Sequence, residues 1–485
     1  MTEKHIHRSF AFLSAILTAS ALCGGAFAQS GAPSTLPSAL PNAPAIPLPA
    51  ESLLAQNASG MQAVQPLAAQ PTPEETPQRL TRAEAEQMAI KHNPRISIGR
   101  LLGLAQHQVV RETRAAELPT LTGAITAEDA EDASRISAGS LTASRLFEHA
   151  GAGGTASQLI TDFGKTRNLV LSSKLQDKAQ NANAIATAND VVLATDQAFY
   201  NALQAQALLN VAQQNVSTLQ TTDTQINQLT QNKLKSTLDL SFADVNFSQA
   251  KLLLLDAQNN ADSTMAGLDD VLGLDRSVTY ELVAENNSLQ PPPPDEDRLT
   301  QLALQQRPDL QALDYQHQAA VKFSHAQRDQ MLPSISALGT AGTVPVRPGE
   351  QYYVTNWWGG VGVNMNVPIF NGFLYSSQAK EASIRAEAAS EQSRELRDHI
   401  VRDVRTAWLA ASTAYQRVDV TAALLQQANL ALKLAQTRYQ IGLSSIVELS
   451  QAQYQQTDAA IGNTNAQYQY RLALATLNYT IGTTP

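Results

Sequence analysis

The sequence predicts a mainly α protein with a small β part, built from one unit written twice. Three observations lead there. First, Asn93-Pro94 and Leu118-Pro119 recur as Arg307-Pro308 and Leu332-Pro333 at one offset of 214 (308 − 94 and 333 − 119). Second, Thr161-Asp162-Phe163-Gly164 matches Phe370-Asn371-Gly372-Phe373, and Leu238-Asp239-Leu240 matches Val447-Glu448-Leu449, at an offset of 209 (371 − 162 and 448 − 239). One length difference of five therefore lies between the second proline and the Asp/Asn-Gly turn of each copy. Third, the hydrophobic period is 3 to 4 over most of the chain and switches to 2 between Pro333 and Asn371, with a weaker form of the same plan in the first copy.

The elements follow in order. Lys4, His5, His7 and Arg8, the apolar run Phe10 to Leu22 and the small residues Ala26-Phe27-Ala28 predict a signal peptide over residues 1–28, cut after Ala28. The run is short for spanning a bilayer core of about 30 Å. The single cysteine, Cys23, lies inside it, and Ala21-Leu22 fits a lipoprotein cleavage box poorly. Cut at Ala28, the mature chain has no cysteine, which excludes disulfides, thiolate catalysis and cysteine-held metals. Residues 29–78 are rich in Pro, Ala and Ser without periodicity and read as a disordered or extended leader.

Thr81 with Glu84 is a capping box opening a helix, and Asn93 with Pro94 opens a second that must end before Pro119. Its copy runs from Pro308 to before Pro333, each about 36 Å long. Strands are expected from Leu121 to Ala127, from Ala150 to Ile160 and from Ser334 to about Val346. The clearest starts at Trp357, where Trp357, Gly359, Val361, Val363, Met365, Val367 and Ile369 alternate with Trp358, Gly360, Gly362, Asn364, Asn366 and Pro368. That length suits a tilted membrane strand. Tyr352, Tyr353, Trp357 and Trp358 would form an aromatic girdle there. The Gly- and Ala-rich first pair does not reveal its faces, and a soluble hairpin remains open for each pair.

No proline follows Asn371 until Pro485. Val401, Val404, Trp408, Ala411, Tyr415, Val418, Ala422 and Leu425 form a heptad stripe, continued by Asn429, Leu432, Gln436 and Tyr439. Leu424, Ala428, Ala431 and Ala435 form a second, so the helix needs two neighbours. Breaks at Lys233 to Thr237 and Gly442 to Ser445 turn each long helix back. From Asp162 to Lys235 a continuous helix would reach roughly 105 Å. Pro291 to Pro294 form a stiff connector, giving a first repeat at 79–290, a linker at 291–294 and a second repeat at 295–485.

Composition narrows the function. The net charge of −9 argues against nucleic-acid binding. After residue 28 no run is long and apolar enough for a spanning helix, so any crossing must use closed strands. Gly151-Ala152-Gly153-Gly154-Thr155 lacks the Lys-Ser/Thr ending of a phosphate loop. His317 and His325 lie too far apart for a helical metal pair. No catalytic, cofactor-binding or metal residues are expected.

This order of elements resembles the TolC family of outer-membrane efflux and export channels, from about Leu80 to the C-terminus. The likeness is carried by Leu80-Thr81-Arg82-Ala83-Glu84-Ala85 with Asn93-Pro94, the two Leu-Pro pairs, Pro368-Ile369-Phe370-Asn371-Gly372, Arg438-Tyr439-Gln440-Ile441-Gly442, Ile446-Val447-Glu448-Leu449 and Ala452-Gln453. The resemblance implies a homotrimer sharing a twelve-stranded transmembrane β-barrel in outer-membrane lipid and an α-helical barrel across the periplasm of a Gram-negative bacterium. It implies an exit duct for a tripartite efflux or type I secretion system. The partners would be a periplasmic adaptor and an inner-membrane pump of RND or ABC type. It implies no enzyme activity and no cofactor.

The resemblance also places a periplasmic gate. Glu448 and Asp239 match the acidic residue after the turn, and Tyr439 matches the tyrosine of a hydrogen-bonded latch. Ser444 stands where an arginine latches and Gln451 where a second acidic ring would be, so Arg438 or Lys235 would have to take the cationic part. Three carboxylates around a pore would attract cations and raise one another's pKa. Asp239 and Glu448 also fit charges that a helix start favours. The competing expectation is a trimeric coiled-coil surface or structural protein without transport activity; a periplasmic adaptor would want a lipoyl-like or β-barrel domain, of which there is no sign.

Overall fold

The computed structural model describes residues 78–128, 135–136, 144–145, 149–274, 280–284, 288–343 and 357–483. All lie in the second of two units into which the chain divides, Glu74–Pro485. The expected signal peptide and almost all of the leader lie outside the described residues, as do Tyr352 and Tyr353.

The helices are α1 (Arg82–His92), α2 (Pro94–Ala115), α3 (Lys165–Gln231), α4 (Thr237–Leu272), α5 (Glu296–Gln306), α6 (Pro308–Asp329), α7 (Leu374–Gln440) and α8 (Ile446–Ile481). The strands are β1 (Gln78–Leu80), β2 (Thr120–Glu128), β3 (Arg135–Ile136), β4 (Ser144–Arg145), β5 (His149–Thr161), β6 (Tyr280–Leu282), β7 (Ser334–Thr343) and β8 (Trp357–Asn366). The duplication is exact in length. α1 and α5 have 11 residues, α2 and α6 have 22, α3 and α7 have 67, and α4 and α8 have 36. The five-residue difference falls in the strand pairs.

Each long helix, roughly 100 Å at 1.5 Å per residue, is too long for one neighbour. α3 is therefore covered by α2 towards one end and α4 towards the other, and α7 by α6 and α8. One asparagine joins α4 to α2. Asn93 accepts from the Arg95 amide at 2.9 Å, capping α2, and donates to the Val271 carbonyl at 2.8 Å in the last turn of α4. Gly273 ends α4 at φ 73, and a Cβ there would stand 2.9 Å from the His92 carbonyl oxygen. Gly482 repeats this packing against Arg307. The turns into α3 and α7 each hold two successive left-handed residues, with glycine and phenylalanine exchanged: Phe163-Gly164 and Gly372-Phe373.

β2, β5, β7 and β8 form one antiparallel four-stranded sheet in that order. Its register assigns the faces that the sequence left open. Across the strands, Leu121, Ala156, Gly339 and Val361 lie side by side, as do Gly123, Gly154, Ala341 and Gly359. Ile125, Val363, Met365 and Trp357 share that face. The other carries Thr122, Thr155, Thr340, Ser336 and Asn364, with Thr122 and Thr155 hydroxyls 2.6 Å apart. The apolar face is bare: Leu121 is 82%, Ile125 88% and Val361 95% exposed. Trp358 belongs to the Thr/Ser/Asn face, opposite Trp357, so the two tryptophans do not point the same way. Among the described residues β2 and β8 have no outer neighbour, and no helix is long and apolar enough to cross a membrane.

The heptad reading of α7 needs one shift. Val401 is 44% exposed, whereas Ile400, Val404, Ala407 and Ala411 are buried. Further down, Leu425, Ala428, Leu432, Ala435 and Tyr439 face inward while Leu424 and Ala431 do not. The buried seam keeps a heptad spacing but draws from both expected stripes: Val404, Ala411, Leu425, Leu432 and Tyr439 hold, while Ile400, Ala407, Ala428 and Ala435 lie one residue before the expected Val401, Trp408, Asn429 and Gln436. The tetraproline connector is pinned, not free: Trp408 Nε1 donates to the Pro293 carbonyl at 2.8 Å, and the Tyr470 hydroxyl donates to the Gln290 carbonyl.

The contact of α1 with α3 repeats with its charges reversed. Arg82 Nη1 lies 2.5 Å from Glu86 and 3.3 Å from Asp196. At the same positions of the second copy, Arg405 lies 3.6 Å from Glu296. Burial, with a proton shared towards Glu86, pushes Asp196 up to about 7 against the pull of Arg82. A carboxyl raised on folding stabilises most below its unfolded pKa of about 3.9, and that contribution is lost as pH rises through 7. We predict that Asp196→Asn removes this part of the dependence. Urea unfolding between pH 4 and 8 should show the variant gaining on wild type as pH rises; parallel curves would contradict it.

Candidate functional site

The two turns at the far end of the long helices bring the candidate residues together. Each is built the same way. The amides of Leu234 and Leu443 bond back to the carbonyls of Leu229 and Arg438, both at 2.8 Å, after a left-handed residue, Lys233 at φ 60 and Gly442 at φ 80. This closes the C-terminus of the long helix. Ser236 and Ser445 then cap the returning helices.

Asp239 and Glu448 occupy the same position, three residues after those serines, and do different work. Asp239 completes a capping box, accepting from the Ser236 amide at 3.4 Å. Glu448 turns to Arg438, whose Nε is 3.3 Å from its Oε1, and Arg438 also donates to the Leu443 carbonyl at 3.4 Å. This ion pair stays within the α7–α8 hairpin.

Tyr439 lies under this surface, 6% exposed, with Ile226, Ala243, Ala435, Ile446, Leu449 and Ala452. That cluster draws on α3, α4, α7 and α8, so it ties the two hairpins together. The Tyr439 hydroxyl is buried without a hydrogen-bond partner. Burial first, and the negative charge of Asp239 second, push its pKa up. The Lys235 ammonium sits over its ring, 4.0 Å from the centroid. Ser444, at the position of Lys235 in the second copy, has a buried and unpartnered Oγ. Gln451 is exposed on α8. Asp239, Tyr439 and Lys235 are therefore gathered at one point and Glu448 with Arg438 at another, while Trp357 and Trp358 lie beyond the opposite end of α7.

One pair escaped the sequence reading. Asp223 on α3 is pushed up by burial and by Asp244 across the hairpin, with Lys251 opposing. The signal was positional: both residues are nearly equidistant from the turn, which makes antiparallel helices face them together. Among the described residues no group of His, Cys, Asp or Glu could hold a metal ion.

Comparison with known proteins bears on the fold that carries these turns. Residues 299–483 match the family described as "Outer membrane efflux protein". The outer membrane protein TolC of Escherichia coli K12 is 24% identical over 342 residues, covering 67% of this chain and 68% of that one. The CmeC outer membrane channel of Campylobacter jejuni superposes with a TM-score of 0.72 at 19% identity, over 83% of this chain and 85% of that one. The open-state MtrE outer membrane channel of Neisseria gonorrhoeae gives 0.69 at 20%, over 83% and 88%. The mainly helical architecture with few strands is that of the TolC-like channels.

The energetics of the tip separate its two layers. An ion pair with side chains 55% and 44% exposed contributes little, whereas the shared apolar cluster is buried. We predict that Arg438→Ala costs under about 1 kcal/mol and Leu449→Ala about 2–5 kcal/mol. Urea unfolding in detergent checks the order; equal losses would contradict it.

Proposed function

We propose that this chain, an outer-membrane efflux family protein by the pattern of its second half, is one subunit of a homotrimeric exit duct. The observation that carries the reading is the sheet. It has four strands, an apolar face open to its surroundings, a Thr/Ser/Asn face opposite, and two unpaired edges. In hydrocarbon an unpaired edge is untenable, and known single barrels need eight strands or more. Several copies must therefore close one barrel, and three give twelve strands. β2 of one subunit would pair with β8 of the next, with the apolar face outward and the polar face lining the lumen.

The helices support the same assembly. Ile98, Leu101, Leu102 and Leu104 on α2, Leu238, Val245, Leu252 and Leu255 on α4, and Leu409, Val420, Leu424, Leu430 and Leu434 on α7 are exposed within one subunit. These edges would meet around a helical barrel reaching across the periplasm. The leader, residues 29–78, would follow removal of a signal peptide, and two repeats joined at 291–294 would make the wall. The duct is passive and has no catalytic step. Energy would come from an inner-membrane pump of RND or ABC type, joined through a periplasmic adaptor at the α3–α4 and α7–α8 turns. Asp239, Tyr439, Glu448, Ser444 and Gln451 would form the gate region, and Trp357 the membrane boundary. The alternative of a surface coiled coil without transport has no use for a two-faced sheet or for helices that return.

Purified protein added to planar lipid bilayers should give large, water-filled conductances; silent bilayers would count against a duct. We predict that Asp239→Ala with Glu448→Ala weakens block of that conductance by multivalent cations. Because Arg438 already sits on Glu448, Asp239→Ala alone should account for most of the change. Unchanged block in the double variant would mean that these carboxylates do not face the pore.

A further inference from the structure

Within one subunit the hairpins α3–α4 and α7–α8 meet chiefly along α3 and α8. At the end of that seam far from the tip the Tyr479 hydroxyl donates to the Asp190 carboxylate; towards the tip the polar contacts are neutral. Gln204 donates to Asn465 at 2.7 Å, Thr457 to Asn215 at 3.1 Å and Gln453 to Thr222 at 3.4 Å. Asn246 on α4 donates to Ser450 at 2.7 Å. Water can replace each of these when the helices part, so none is a strong lock. The seam ends differently. Lys235, in the turn between α3 and α4, lays its ammonium on the ring of Tyr439, in the last turn of α7.

Tyr439 uses its ring face there and not its hydroxyl, which is buried and makes no hydrogen bond. A cation over an aromatic face is attracted by the ring quadrupole, and more strongly where water is excluded. The Asp239 carboxylate lies near enough to act on Tyr439, second to burial in raising its pKa. Arg438 is not available for this role, because it is engaged with Glu448 inside its own hairpin. The second copy cannot repeat the contact, since Ser444 stands at the position of Lys235 (235 + 209) and is too short.

We propose that Lys235 is the latch of the tip, holding the α3–α4 turn to α7 through the face of Tyr439. Resting on the gate reading above, the inference specifies which residue closes the gate and on which side. The ring, not the hydroxyl, is the holding group, and each subunit has one such latch. Opening starts when the α3–α4 turn leaves Tyr439, while the Leu443 return and the Ser445 cap keep the α7–α8 turn intact.

The test uses the full-length protein in detergent and four variants: Lys235→Met, Lys235→Arg, Tyr439→Phe and Tyr439→Leu. Backbone hydrogen exchange is followed across residues 232–236, and single-channel conductance is recorded in planar bilayers. Loss of the cation or of the ring, in Lys235→Met and Tyr439→Leu, should speed exchange about three- to tenfold and raise the resting conductance. Lys235→Arg and Tyr439→Phe, which keep cation and ring, should stay within about twofold of wild type. If Tyr439→Phe behaves as Tyr439→Leu, the hydroxyl holds the tip and the proposal falls. It falls equally if Lys235→Met leaves exchange unchanged in a protein that conducts, and the duct reading then survives. Silent bilayers with the exchange order as expected would keep the contact and remove the duct.

Discussion

A backbone amide at the edge of a sheet has no partner in hydrocarbon, and every larger feature of this molecule follows from that. Four strands with an apolar face cannot dissolve in lipid alone, nor can they close on themselves. On the proposed reading they do so beside further copies. The apolar band formed by Leu121, Ile125, Val361, Val363 and Met365 has no covering layer among the described residues. The exposed apolar edges of α2, α4 and α7 pose the same demand in the helical part. The proposed assembly would meet both, because the strands run into the helices through the turns at Phe163-Gly164 and Gly372-Phe373.

The duplication shows what that architecture constrains and what it leaves free. Helix lengths agree residue for residue between copies, and so do the glycine-ended returns at Gly273 and Gly482. These positions set where one helix stops and the next begins alongside a roughly 100 Å rod. Charge is free by comparison. Arg82 with Asp196 becomes Glu296 with Arg405, and Lys235 becomes Ser444. The two copies therefore present different tips on one scaffold. Function has room to diverge at the turns, where backbone geometry is held by capping and not by side-chain identity.

Much of this was legible in the chain. Pro94 and Pro308 mark helix starts, Thr81 with Glu84 forms the capping box it promised, and the period-two run from Trp357 forms a strand. Asp239 and Glu448 fall at matched helix starts. The rest depended on pairing. The first strand pair is Gly and Ala on both faces, so only its register against β7 separates Leu121 and Ile125 from Thr122. The α7 seam passes through Ile400 and not Val401, because both are apolar and only packing against the neighbouring helices selects between adjacent positions. Lys235 and Tyr439 lie about two hundred positions apart (439 − 235), and no local spacing reveals that they meet. Arg438 and Glu448 are ten apart (448 − 438), but they meet only across the turn between α7 and α8.

The central claim is that the unpaired edges β2 and β8 are closed by other copies of the same chain. Native mass spectrometry of the protein released from outer membranes in detergent tests it most directly. A single species holding three chains is the expected result. A stable one-chain particle that retains its folded sheet would contradict the account.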